Sequence, residues 1–346
     1  MQLPAIPTMA TSLYGHGHDK AGLCQGPSMQ IIRKYDAVPR EFYGSVVVLG
    51  NFDGVHRGHQ AVIGQASHTA KEAGVPLVLI TFEPHPRRYF RPQDPPFCLT
   101  PFRSKTHYLA ALGVDLLVFL NFDETLSQKP AEAFAREMLF EAFQASQVVV
   151  GYDFVFGYQR KGNVTLLAEL SDAQGIVLTV IEPVATADGG IYSSTRIREY
   201  LMAGNPGHAA ALLGRPFEIE GRVVCGEQRG TKLGFPTANI GLEDYIQPAF
   251  GVYAVRVGEV HGNDIVWRSG VANLGIRPTV GGSTPLLETH LFDFTGDLYG
   301  KHLRIGLIEY IRPEIKFDTL ESLRAQIAED SETARRLLRT REAGAP

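Results

Sequence analysis

Cysteine is scarce. The 346 residues hold three, Cys24, Cys98 and Cys225, scattered and with no C-x-x-C pair. That usage argues against a disulfide framework and a zinc ribbon, and it fits a cytoplasmic protein with reduced thiols. No apolar run approaches the ~20 residues needed to span a bilayer. An excess of one charge is missing too: 33 Lys+Arg against 37 Asp+Glu leave a formal net charge of -4. Electrostatics therefore gives no reason to expect a nucleic acid or an anionic membrane as partner. What remains, 44% hydrophobic and 20% charged residues, is the make-up of a soluble globular chain. At ~150 residues per domain the length suits two domains, each able to bury its own core.

The first 28 residues carry Pro, Gly, Ser and His without a period, and they lack the basic start and apolar core of a secretory signal. "MQIIRKYDAVP" from Met29 reads as a natural beginning. Residues 1–28 are therefore expected to be a disordered or mis-assigned extension, with His16 and His18 as solvated tail rather than metal ligands.

From Ser45 apolar runs alternate with helical segments. "SVVVLG" reads as a buried strand and "HQAVIGQASHTAKEAG" as a helix closed by Gly74. "PLVLITF", "VDLLVFL", "SQVVVG" and "IVLTVIEPV" continue the strands. "SKTHYLAALG", "PAEAFAREMLFEAF" and "VTLLAELSDAQG" continue the helices, with Pro130 suited to a first turn. Right-handed crossovers make this an α/β Rossmann-like domain, a parallel sheet with helices on both faces. After Ala203 a Gly/Pro-bearing connector leads into short, often alternating runs: "FEIEGRVV", "GVYAVRV", "DIVWRSGVANLG", "LLETHLFDF" and "HLRIGLIEYI". They predict a small antiparallel β-barrel domain. A C-terminal helix should follow, with Asp318 and Glu321 spaced as a capping box. The expected domains are 29–204 and 205–340.

Ligands of a parallel sheet sit at the carboxyl ends of its strands. "GNFDGVHRGHQ", residues 50–60, lies at such an end, where Leu49 hands over to a helix. A helix N-terminus offers unpaired N–H groups and partial positive charge, which suits phosphate. Gly50, Gly54 and Gly58 would let the backbone approach a ligand, and His56 and His59 would aim donors at the same phosphates. The spacing is not G-x-G-x-x-G, so the dinucleotide fingerprint fails. H-x-G-H at a strand-to-helix turn instead matches the nucleotidyltransferase signature; without a cysteine pair, zinc is disfavoured. "TFEPHPRR", "VGYDFVFGYQRKGN" and "SSTRIRE" fall at later strand ends, placing Asp153 for a ribose or adenine amine and Arg198 for a triphosphate. In the second half "RGTKLGFPTANI" gathers Gly230, Gly234, Pro236, Thr237 and Asn239; Thr237 and Asn239 offer oxygen ligands of the kind Mg²⁺ takes. The bland alternative is a rigid Pro turn entering a strand.

In this order "GNFDGVHRGHQ", "TFEPHP", "VGYDFVFG", "SSTRIRE", "RGTKLGFPTANI", "FGVYAV", "VANLGIRPT" and "LETHLFDF" resemble the bacterial bifunctional riboflavin kinase/FMN adenylyltransferase family, from residue 29 to about 340. The resemblance implies that the first domain adenylylates FMN with ATP and that the second phosphorylates riboflavin. It implies His56 and His59 on the ATP phosphates, with Gly50, Asn51, Asp53, Gly54 and Gly58 as their loop, and Asp153 and Arg198 on the nucleotide. Phe82, Pro84 and Pro86 would line the flavin. In the kinase domain Gly230, Lys232, Gly234 and Pro236 would shape the ATP site, Thr237 and Asn239 would hold Mg²⁺–ATP, and Glu288 would be the base. The implied partners are flavins and ATP, with no nucleic acid or membrane; weak self-association is allowed for. Two positions depart from the family: Cys98 replaces an arginine common before "LT", and Thr231 replaces a basic residue. Two other readings compete, a one-step nucleotidyltransferase with a degenerate second domain and a flavin store without turnover. The complete histidine pair and Glu288 disfavour both.

Overall fold

The computed structural model describes residues 29–36, 38–186, 189–224, 234–262, 264–279 and 282–343. The expected extension 1–28 lies outside them. The described chain divides into two compact units. One contains Thr100–Tyr192 and the chain up to Pro95; the other contains Pro96–Leu99 and the chain from Ser193.

The first unit is built on six parallel strands: β1 (Gln30–Ile32), β2 (Val46–Leu49), β3 (Leu77–Glu83), β4 (Leu116–Asn121), β5 (Gln147–Gly151) and β6 (Val177–Ile181). Their order is β1-β4-β3-β2-β5-β6. Strand β2 is apolar and buried at every position, as expected for a central parallel strand covered on both faces. Its side chains alternate between two cores. Val46 and Val48 pack with Ile63, Ala66 and Ala70 of α1 (Arg57–Ala73) and with Tyr108 and Leu109 of the helix Phe102–Ala110. Val47 and Leu49 pack on the other face with Phe134, Met138, Leu139 and Leu167. The doubly wound sheet is as expected, and Gly74 closes α1 in the left-handed region at φ 65°. The edge strand β1, paired with β4, was not foreseen.

Short helices join these strands: α2 (Pro86–Phe90), α3 (Phe102–Ala110), α4 (Glu124–Ser127), α5 (Ala131–Phe134), which runs on as a π-helix over Ala135–Ala142, and α6 (Val164–Asp172). In the second unit come α7 (Ser194–Met202) and α8 (Pro206–Leu213). Ser193 caps α7, its hydroxyl accepting the Arg196 N–H. Here too Cys98 pairs in parallel with Tyr245.

The second unit's sheet has the order β7-β12-β9-β10-β11-β8, all pairs antiparallel. The strands are β7 (Phe217–Arg222), β8 (Ala238–Gly241), β9 (Gly251–His261), β10 (Asp264–Thr279), β11 (Gly282–Leu291) and β12 (His302–Arg312). Register shifts bend β12 at Leu307/Glu309 and Tyr310/Arg312. The bent sheet curls until its two edges meet. A bridge joins Val224, just past β7, to Asn239 of β8, with the Val224 N–H donating to the Asn239 carbonyl at 2.9 Å. The final helix α9 (Leu320–Ala343) lays Ala334 and Leu338 on Val252, Ala254, Val271 and Phe292. Its start corrects the expected capping box. Thr319, not Asp318, is the cap: its hydroxyl accepts the Ser322 N–H at 3.1 Å. Strand β8 is the strand that the alternative reading of the Pro turn led into.

Closure leaves no room beside Gly221. A Cβ there would sit 2.4 Å from Ile240 Cγ2, a stiff β-branched group in the core. Gly221→Ala is expected to destabilise the second unit by about 1–3 kcal/mol, the usual range for overpacking. Denaturant unfolding checks this; an unchanged midpoint would show that the seam is loose.

Candidate functional site

The turn leaving β2 is held against its own preferences. Phe52 and Val55 take φ of 48° and 44°, a region unfavourable for non-glycine residues, and Gly54 takes 88°. Several contacts hold it. Asp53 Oδ1 accepts the Thr100 N–H at 3.0 Å and the Thr100 hydroxyl at 3.3 Å. The Gly54 N–H donates to Thr100 Oγ1 at 2.8 Å. The Asn51 carbonyl accepts from Thr81 at 3.1 Å and from Lys105 Nζ at 2.9 Å. Gln60 Nε2 donates to the Val55 carbonyl at 2.8 Å. Two glycines make room for rings: a Cβ on Gly58 would lie 3.2 Å from the His56 imidazole, and one on Gly50 would lie 2.9 Å from Phe52.

His56 is the N-cap of α1. Its Nδ1 accepts the His59 N–H at 3.3 Å, so the neutral ring carries its proton on Nε2. His59 stacks on it, centroids 3.7 Å apart and planes 17° from parallel, with Phe52 edge-on at 5.3 Å. His59 Nδ1 is enclosed without a hydrogen-bond partner. The tautomer that orphans no N–H again puts the proton on Nε2. Burial holds the His59 pKa well below its ordinary 6.5, helped by the neighbouring His56 and Lys105. The pair thus offers two Nε2–H donors at a positive helix end.

Neighbouring strand ends bring further expected residues. Strand order reverses across β2, so the turn at residues 50–56 and the segment after β5 flank the switch point where ligands of such sheets bind. Asp153 lies there, exposed, two residues past β5. Phe82 is buried near the end of β3, edge-on to Phe122 at 5.8 Å. Pro84 follows a cis peptide bond and Pro86 opens α2. Arg198 lies on α7 in the second unit, where its Nε donates to the Phe97 carbonyl at 2.9 Å.

In the second unit a cavity of about 280 Å³ opens between barrel and α9. Thr237 and Glu288 both line it, beside apolar Phe235, Val252, Ile315 and Phe317. Glu288 pairs with Asn239 across β11 and β8. The Asn239 Oδ1 is buried and has no hydrogen-bond partner. Gly234 turns the chain at φ 88°. His290 Nδ1 donates to the Pro236 carbonyl at 2.9 Å and so pins the turn before Thr237. Gly230 and Lys232 lie outside the described residues, as does Thr231.

Thr100, Lys105 and His290 were not foreseen. For Lys105 a signal existed: it falls on the buried stripe of α3 with Tyr108 and Leu109, where a lysine needs a reason. Thr100 gives no such signal, because its partners are 46 and 47 positions away.

A doubly wound sheet with an H-x-G-H turn at a strand end, followed by a barrel with its own cavity, is the build of a transferase with two separate sites. Comparison with known proteins makes this specific. A FAD synthetase family model matches residues 38–196 and a riboflavin kinase model matches 213–338. The bifunctional riboflavin kinase/FMN adenylyltransferase of Haemophilus influenzae is 38% identical over 307 residues, 89% of this chain and 98% of that one. The Escherichia coli protein of the same name is 40% identical over 305 residues, 88% and 95% of the two chains. A crystal structure from Streptococcus pneumoniae, described as a macrolide-efflux protein, matches at a TM-score of 0.78 and 32% identity, covering 89% of this chain and 99% of that one. The chain belongs to the bifunctional riboflavin kinase/FMN adenylyltransferase family, with the FAD synthetase domain first and the riboflavin kinase domain second. Among the described residues no helix is long and apolar enough to cross a membrane.

The lowered His59 pKa has a consequence for stability. The unfolded ring takes up a proton as pH falls through about 6.5, while the folded ring resists it. Stability is therefore full above that pH and is lost progressively as pH falls toward the folded value. Thermal unfolding at pH 7.5 and 5.5 should show a larger acid loss in wild type than in His59→Gln. Equal losses would show that His59 does not resist protonation.

Proposed function

We propose that the first unit transfers the adenylyl group of ATP to FMN, releasing pyrophosphate, with His56 and His59 as the groups that meet the phosphates. The observation carrying this reading is the stacked pair of imidazoles at the N-terminus of α1. As pyrophosphate leaves, negative charge grows on its oxygens, and fixed N–H donors stabilise that charge without reorganising. Gly50, Asn51, Asp53, Gly54 and Gly58 form the turn that presents these donors, with Asp53 acting through Thr100. Asp153 sits for the adenosine, and Phe82, Pro84 and Pro86 border the flavin. Arg198 is assigned to the triphosphate on the resemblance of "SSTRIRE" alone.

In the second unit Glu288 takes the proton of the riboflavin 5′-hydroxyl as the γ-phosphoryl group of ATP arrives. The cavity that Glu288 shares with Thr237 supports this. Mg²⁺ fits the residues present: Thr237 offers a hydroxyl, Asn239 offers a buried carbonyl oxygen without a partner, and the ion favours such oxygen ligands. When bound it would offset phosphate charge during transfer. Gly234 and Pro236 set the turn, and Gly230 and Lys232 complete the ATP site by resemblance. The working domains are 29–204 and 205–340. The partners are flavins and ATP, with no role for nucleic acid or membrane and at most weak self-association, in a cytoplasmic setting that suits three scattered cysteines.

One experiment separates the halves. Purified protein is given riboflavin, ATP and Mg²⁺, or FMN and ATP, and the flavins are resolved by chromatography. His59→Ala should lower FAD formation by ~10²–10³-fold, as for loss of an oxyanion donor, while FMN formation persists. Glu288→Gln should do the reverse, lowering FMN formation by ~10²–10⁴-fold, the usual range for a general base. Either variant disabling both steps in a folded protein would refute the division.

Thr237→Val keeps the side chain's shape and removes its oxygen. FMN formation should weaken and recover partly in excess Mg²⁺, with FAD formation from FMN unchanged. Wild-type kinase rates at limiting Mg²⁺ would take Thr237 out of the ion's shell.

A further inference from the structure

Lys105 is 3% exposed, on the core-facing side of α3. Ser104, Tyr108 and Leu109 of the same helix are buried with it. Burying an ammonium is unfavourable unless it is paired. Its protein partner is the Asn51 carbonyl, and among the described residues no carboxylate lies within ion-pair distance of its Nζ. That carbonyl belongs to the turn that carries His56 and His59, one residue before Phe52 with its positive φ. The carbonyl also accepts the Thr81 hydroxyl, so two donors fix it. Three residues before Lys105, α3 begins, and just ahead of it Thr100 holds Asp53 and Gly54. The stretch 100–105 thus grips the turn at Asn51, Asp53 and Gly54.

We propose that Lys105 is a positioning residue for adenylyl transfer: it fixes the strained turn through Asn51 and supplies a buried positive charge that the ATP phosphates, not the protein, neutralise. It does not touch the reacting atoms. This rests on the reading of the first unit as the adenylylation site. Two further facts agree. The enclosed His59 is held neutral in part by this charge. And a cation kept from water with one neutral acceptor adds little to stability, so its presence calls for another explanation.

The role separates from a structural one by the sign of the stability change. Lys105→Met fills the same space without charge or hydrogen bond, and Lys105→Gln keeps a donor without the charge. In the full chain Lys105→Met is expected to lower kcat/KM for ATP in FAD formation by about tenfold to a hundredfold, the scale of a charge-assisted hydrogen bond. Its Tm should be unchanged or raised, because an unpaired buried charge has been removed. Lys105→Gln should recover only part of the loss, KM for FMN should stay within about twofold in both variants, on the same reasoning that only the phosphate side is affected, and riboflavin phosphorylation should match wild type. A lowered Tm with parallel loss of both activities would make Lys105 structural and overturn the proposal. So would wild-type FAD formation in Lys105→Met, or full recovery in Lys105→Gln, which would leave the charge without a role. If His59→Ala also left FAD formation intact, the site reading itself would fail, and that outcome is distinct from failure of Lys105 alone.

Discussion

The Asp53 carboxylate is the hinge of the first unit's site. It draws Thr100 against the turn after β2, and Thr100 in turn receives the Gly54 N–H. Without that pair the positive φ at Phe52 and Val55 would have little to oppose relaxation, and strain of this kind costs of order 1–3 kcal/mol per residue. The strain serves placement. A relaxed turn would enter α1 at another angle and leave His56 off the N-cap. Capping by an imidazole is itself unusual, since Ser, Thr, Asp and Asn cap better. Here the cap bond fixes the His56 tautomer and so decides where its remaining proton points.

In the second unit closure of the sheet plays the corresponding part. Strand β8 is four residues long and carries Asn239. It is held by β11 on one side and by the bridge from Val224 on the other. Both contacts use Asn239: its carbonyl receives Val224, and its place in the register lies opposite Glu288. Backbone pairing on both sides of Asn239 therefore sets its place opposite Glu288.

Much of this was legible in the sequence, and for identifiable reasons. Four of the apolar runs of the first half, β2 to β5, are strands because central parallel strands are buried on both faces, which writes itself as near-unbroken Val, Leu and Ile. The H-x-G-H turn was legible because both histidines sit within one turn of helix. The strand β1 was not: it has three residues, is half open to water at Ile31 and owes its existence to β4, 86 positions away at Gln30↔Leu116. The strand β8 was legible only as the strand that the Gly-Phe-Pro-Thr turn would enter. At α9 Thr319 outcompeted Asp318 by one place, a choice that spacing alone does not settle. The glycines of the turn were read as openings for a ligand; Gly50 and Gly58 also make room for the protein's own rings. Asp53, Thr100 and Lys105 act through space, so a single sequence shows their types but not their meeting.

The two sites differ in one respect that their chemistries explain. On the proposed assignment the nucleophile of the first step is the phosphate of FMN, which is already anionic at neutral pH. It needs no base. It needs its charge, and that of the departing pyrophosphate, to be tolerated in an enclosed place. Imidazole N–H donors, a helix N-terminus and a buried ammonium supply that. The nucleophile of the second step is a primary alcohol, neutral and far too weak an acid to ionise unaided. There a carboxylate is required, and Glu288 lines the cavity as a side chain able to accept the proton. A histidine pair without a base in one unit, and a glutamate beside oxygen donors in the other, are thus what the ionisation states of the two nucleophiles demand.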